Sequence, residues 1–141
     1  MIYSGDEDQR LEAGIDDIVD RWGGEFVLEY ESNWRGVVKQ WEGNIVHLTM
    51  YGLPVEEAAP RIGGTEEPLL VVVGGPKVPR DVYDHATWNV SVTNQPHSEV
   101  SALAIFMLLL QGEDALQHEF SGGSINITPS ERGKCVEVSK D

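Results

Sequence analysis

LLVVVGGPKVP, residues 69–79, decides the fold. Five consecutive Leu and Val residues, with no polar alternation, predict a strand buried on both faces of a parallel sheet. The Gly74-Gly75 pair that follows permits a sharp turn, and Pro76 and Pro79 stiffen it. Residues 79–85 then read as a short helix. A buried strand, a glycine turn and a helix in that order make a β-α unit of an α/β domain with a mainly parallel sheet flanked by helices.

The same alternation extends outward. Upstream, residues 45–50 predict a strand, and Pro54 is placed to open a short helix as its first residue. Trp34, Val37, Val38 and Trp41 form a helical stripe capped by Ser32 or Asn33 and ended by Gly43. Phe26, Leu28 and Tyr30 alternate as in a half-buried strand. Leu11, Ile15, Ile18, Val19 and Trp22 fall on one face of a helix starting from Asp6 and stopped by Gly23-Gly24. Residues 1–4 read as a short strand. Downstream, residues 88–93 predict a strand and residues 96–110 a long helix opened by Pro96. Residues 114–120 read as one or two further helical turns, and residues 124–128 as a last strand before a tail. No repeat, linker or low-complexity segment divides the chain, so residues 1–141 are expected to form a single domain.

Bulk properties narrow the function. A single cysteine, Cys135, excludes an internal disulfide framework and a cysteine zinc site, and it suits a reducing, cytoplasmic compartment. The four histidines lack metal-ligand spacing, so no metal is expected. Nothing at the N-terminus reads as a signal peptide, and the apolar run at residues 100–110 is too short to span a bilayer. The charge is unusual: 24 acidic against 10 basic residues, net −14. That balance argues against ordinary phosphate-driven nucleic-acid binding. The surface of an extreme halophile is one way to reconcile it with RNA, whose recognition would then lean on shape, stacking and hydrogen bonds.

Parallel sheets bind ligands where strands end and helices begin. Three loops hold that position: residues 51–54, 74–79 and 94–99. Gly74-Gly75 reads either as a tight turn alone or as a place where backbone approaches a ligand. It is neither a GxGxxG fingerprint nor a P-loop. In the third loop Asn94, Gln95, His97, Ser98 and Glu99 crowd the start of a helix, more polarity than one cap needs. His97 and Ser98 are adjacent, so their side chains diverge and form no nucleophilic pair. A lone His is more often a hydrogen-bonded structural residue, and Glu99 suits a first-turn dipole partner. Residues 129–134 hold the clearest basic spot, Arg132 and Lys134.

Taken together, HLTMYGLP (47–54), VVVGGPKVP (71–79) and NVSVTNQPHSEVSALA (89–104) resemble the archaeal tRNA cytidine-56 2′-O-methyltransferases, a family of the SPOUT class. DIVDRWGG (17–24) and residues 129–136 are also similar to it. The resemblance implies a Rossmann-like sheet with a C-terminal trefoil knot, a feature rare among proteins. It implies a homodimer with active sites at the subunit interface, tRNA as partner and S-adenosyl-L-methionine as cofactor. Carried onto this chain, the cofactor-binding residues are Leu48; Gly74, Gly75, Pro76, Lys77 and Val78; and Val92, Thr93, Asn94, Gln95, Pro96, His97, Ser98 and Glu99. Methyl transfer from a sulfonium to a ribose hydroxyl requires in-line positioning and removal of a proton, without metal or covalent intermediate.

One departure accompanies the match. The family begins with a further strand and helix bearing an arginine motif, and this chain is expected to start at the family's second strand. None of Arg10, Arg21, Arg35, Arg61, Arg80 or Arg132 sits in a matching motif, so the catalytic residue stays unassigned. A homologue that binds cofactor or RNA without catalysis is the alternative reading. A different nucleotide-binding α/β protein is a weaker one, because GxGxxG is missing.

Overall fold

The computed structural model describes residues 1–75 and 77–139. In chain order the elements are β1 (Ile2–Tyr3), α1 (Gln9–Trp22), β2 (Glu29–Tyr30), α2 (Trp34–Gln40), β3 (Asn44–Pro54), α3 (Val55–Gly63), β4 (Leu69–Val73), α4 (Arg80–His85), β5 (Trp88–Ser91) and α5 (Glu99–Gln111). A 3-10 turn (Glu113–Gln117) and the strands β6 (Ile125–Thr128) and β7 (Cys135–Val138) follow. They fall into two compact units, Arg35–His118 and Met1–Trp34 with Glu119–Asp141.

The unit Arg35–His118 is built on a parallel three-stranded sheet in the order β4-β3-β5. Side chains of successive strand residues point to opposite faces, which sorts β3 in two. Val46 and Leu48 face α3 and α5, where Val55, Ala58, Ala59, Ile62, Val90 and Phe106 close the core. On the other face His47 meets the ring of Tyr83 in α4. The chain thus leaves β3 for a helix on one face, leaves β4 for a helix on the other, and returns from β5 to the first. Strand order and connection direction reverse beside β3, the arrangement that opens a crevice at the carboxyl ends of a parallel sheet.

The run Leu69–Val73 has the predicted boundaries, but it is a sheet edge, only partly buried, and not a strand covered on both faces. Strand β3 runs on to Pro54, through residues read as loop, because it leaves the ladder after Leu48 and rejoins it at Leu53. Helix α5 starts at Glu99 and not at Pro96, since the Ser98 hydroxyl accepts from the Ser101 N–H and fixes the cap two residues later. Strand β5 ends at Ser91.

The unit Met1–Trp34 with Glu119–Asp141 is held differently. Helix α1 begins at Gln9 and not Asp6, with the Asp8 carboxylate accepting from the N–H groups of Arg10 and Leu11. It stops at Gly23, whose φ of 80° suits only glycine. The end of α1 is tied to the segment before β6: Gly24 N–H donates to the Ser121 carbonyl (3.1 Å) and Ser124 N–H to the Arg21 carbonyl (2.9 Å). A Cβ on Gly23 would sit 2.4 Å from that same Ser121 oxygen. Phe26 and Leu28 are not in a strand; only Glu29 and Tyr30 pair, in parallel, with Ile2 and Tyr3. The expected tail contains β7, antiparallel to β6.

Candidate functional site

The register brings three strand ends side by side. Leu48 of β3 lies opposite Val73 of β4 on one side and Val90 of β5 on the other. The loop after β4 and the loop after β5 therefore flank the point where β3 leaves the ladder. In the first of these, a Cβ on Gly74 would meet Val78 Cγ2 at 2.3 Å, so the loop folds back on itself and a side chain there would have to displace Val78. Gly75 is different. Among the described residues, its chain neighbours aside, no atom lies within 4 Å of a Cβ built on it, which leaves open space beside bare backbone. Lys77 is exposed and Val78 and Pro79 half-buried. Pro76 lies outside the described residues.

The second loop is braced from within. Asn94 Nδ2 donates to the Met50 carbonyl (2.7 Å) and to Ser91 Oγ (3.2 Å), which ties the loop to β3. His97 Nδ1 donates to the Gln95 carbonyl (2.7 Å), and Ser98 is occupied as the α5 cap. Val92 packs against the core, whereas Thr93, Gln95 and Pro96 are exposed and Glu99 opens the first turn of α5. Leu48 is buried in the core, so its side chain is committed there. The described residues expected at the site thus gather at one end of one sheet. Leu48, Asn94 and Ser98 shape it through packing and hydrogen bonds, while Gly75 leaves space beside main chain.

Sequence reading did not find the polar cluster beneath. His47 is fully buried, and its Nδ1 lies 2.9 Å from Asn89 Oδ1. Asn89 Nδ2 donates to the Tyr83 carbonyl (3.0 Å), so its oxygen faces His47 and accepts from Nδ1–H. Nε2 is then an unprotonated acceptor with no hydrogen-bond partner among the described residues. Burial lowers the His47 pKa below its usual value, opposed by the bond to Asn89, and the ring is neutral at pH 7. The Tyr83 hydroxyl bonds Thr49 Oγ1 (3.1 Å), and its ring stands edge-on to His47, 4.6 Å between centroids. His47 does prove to be a hydrogen-bonded structural residue. Its partners come from β5 and α4, so only the strand order reveals them. Beside the cluster, Asp81 Oδ2 accepts from Arg35 Nε (3.0 Å), a half-exposed pair worth at most about 1 kcal/mol.

Among the described residues no group of three His, Cys, Asp or Glu side chains could hold a metal ion. No described helix is long and apolar enough to cross a membrane. Against this geometry, the family model described as tRNA ribose 2′-O-methyltransferase, aTrm56, matches residues 22–137. The chain belongs to this family. The matched span contains both loops, the β3 excursion, β6, and β7 as far as Glu137. Three relatives carry the name tRNA (cytidine(56)-2′-O)-methyltransferase. That of Methanothermobacter thermautotrophicus is 45% identical over 144 residues, covering 100% of this chain and 80% of the relative. That of Thermococcus kodakarensis is 45% identical over 141 residues, covering 96% and 78%. That of Pyrococcus abyssi is 44% identical over 149 residues, covering 100% and 73%.

Proposed function

We propose that the chain is a tRNA 2′-O-methyltransferase that methylates the ribose of cytidine 56, using S-adenosyl-L-methionine. The observation that carries this reading is the open ground beside Gly75, at the reversal point of a parallel sheet, in a chain of this family. Main chain of Gly74 and Gly75 would hold the adenosine portion, where a side chain would stand in the way. Residues 92–98 would wrap the remainder, kept in place by the bonds from Asn94 and His97. Leu48 would contribute through its backbone. When bound, S-adenosyl-L-methionine supplies an electrophilic methyl group. Of the two requirements of the transfer, in-line positioning and removal of the hydroxyl proton, these residues serve the first: the braced loops would hold donor and ribose hydroxyl in line and exclude water. The site has no need of a metal in this reading.

Both compact units are taken to serve one methyltransferase domain, with a trefoil knot in its C-terminal half, working as a homodimer in the cytoplasm. The acidic surface suits a molar-salt solvent. The direct test is calorimetry with S-adenosyl-L-methionine at high salt, followed by methylation of a tRNA transcript mapped by mass spectrometry. Binding together with a methyl on the ribose of cytidine 56 is expected. A folded protein that binds no cofactor, or one that modifies another nucleotide, overturns the reading. Gly75→Val sharpens it, because a Cβ at that position meets no atom of the described residues within 4 Å, its chain neighbours aside. Cofactor affinity should fall while the melting temperature holds.

A further inference from the structure

We infer that Tyr51 is the residue on which a nucleobase of the RNA substrate stacks, presented by a rigid excursion of β3; this rests on the RNA-modifying function proposed above. Tyr51 is 76% exposed, more than any other aromatic side chain among the described residues. Exposure alone would mean little, because single apolar side chains are common on protein surfaces. What sets Tyr51 apart is its mount.

Leu48 and Leu53 both pair with Val90, so residues 49–52 rise out of the ladder and return to the same point. Each of the other three residues of this excursion is fixed. The Met50 carbonyl accepts from Asn94 Nδ2 at 2.7 Å. Thr49 Oγ1 bonds the Tyr83 hydroxyl at 3.1 Å and receives the Tyr51 N–H at a long 3.4 Å. Gly52 lies so close to β5 that a Cβ would meet the carbonyl carbon and oxygen of Asn89 and the nitrogen of Val90 at 2.5 Å. Beneath Thr49, the Tyr83 ring is seated on His47, which is held by Asn89. A buried hydrogen-bonded cluster therefore supports the backbone that carries one exposed phenol ring, at the edge where the cofactor loops converge.

The charge of the chain explains why such a device is needed. With a net charge of −14, attraction to phosphate is a poor source of RNA affinity. Stacking draws on the π-face of a base, needs no counterion release and survives high salt. A ribose can be presented for methylation only when its nucleotide is turned toward the donor, and a fixed aromatic platform holds the base in that pose.

The test measures tRNA affinity, cofactor affinity and oligomeric state for wild type, Tyr51→Ala and Tyr51→Phe. Tyr51→Ala should weaken tRNA binding by about fivefold to a hundredfold, the equivalent of about 1–3 kcal/mol at about 1.4 kcal/mol per decade. Tyr51→Phe should keep wild-type affinity, since the face of the ring is retained. Cofactor affinity and the slope of log Kd against log salt should not change, because no ionic contact is lost. Equal tRNA binding by wild type and Tyr51→Ala overturns this inference alone. So does a parallel loss of cofactor binding, or a change of oligomeric state on substitution. A folded wild-type chain that binds no tRNA overturns the proposed function and this inference together.

Discussion

The unit Arg35–His118 contains every buried apolar side chain found among the described residues, from Val38 to Phe106, and the unit Met1–Trp34 with Glu119–Asp141 contains none. Both carry Leu, Ile, Val and aromatic residues in similar proportion, so apolar content does not separate them. Layering does. A parallel sheet with helices on both faces gives Val46, Leu48 and Val90 something to pack against on every side. The other unit has an amphipathic helix, a two-residue parallel pair and a hairpin, held by a cap, glycine turns and backbone hydrogen bonds. Its apolar stripe on α1 has the correct period and yet leaves Ile18 58% exposed. Periodicity specifies an element; a core requires a second layer.

The comparison is most severely tested at Phe106. It is the largest fully buried side chain, and Phe106→Ala should cost about 3–5 kcal/mol in denaturant-derived stability. A loss below about 1 kcal/mol would show that the central unit does not own the stability of the chain. Gly52→Ala comes next. The added methyl would meet β5 backbone, which cannot swing away as a side chain can, so a cost of about 1–3 kcal/mol is expected. An unchanged melting temperature would show that the β3 excursion is loose.

A smaller effect should come from His47. Its folded pKa lies below the ordinary 6.5, so the unfolded chain binds the proton more readily. The contribution of the neutral ring is therefore complete above about pH 6.5 and declines as pH falls through the interval below it. Comparing urea midpoints of wild type and His47→Gln at about pH 7.5 and about pH 5.5 isolates this from the many surface carboxylates. Parallel pH profiles would refute it. The smallest change is expected at Ile18→Ser, within about 0.5 kcal/mol, because the side chain is largely in solvent. A drop beyond about 1 kcal/mol would reveal that α1 has a covering layer in solution.

Much of the central unit was legible in the chain itself. The apolar run at residues 69–73 marks its strand to the residue, and the loops after β4 and β5 could be found from strand-to-helix transitions alone. What stayed hidden depends on long-range order. That Leu69–Val73 is an edge follows from its pairing, among the described residues, with β3 alone, which no local pattern encodes. The excursion at residues 49–52 looks like a loop in sequence because its two ends pair with one residue of another strand. The start of α5 was misplaced because Pro96 and Ser98 both signal a helix beginning, and the hydroxyl cap prevailed. Strand β7 was missed because a six-residue connection through Gly133 carries none of the short-turn signature of a tight hairpin. At the site, glycines and strand ends were visible, whereas the His47, Asn89, Tyr83 and Thr49 cluster draws its members from three elements.

Cys135 has a practical use that follows from its place. It is the chain's sole thiol, exposed on β7 opposite Thr128 in the unit that lacks a core, and far in sequence from the loops after β4 and β5. A maleimide dye added to the unmodified protein would attach once per chain, with no engineering of the central sheet. Its anisotropy would report from the unit that carries β7 as salt, cofactor or tRNA is titrated in, with the loops after β4 and β5 left untouched.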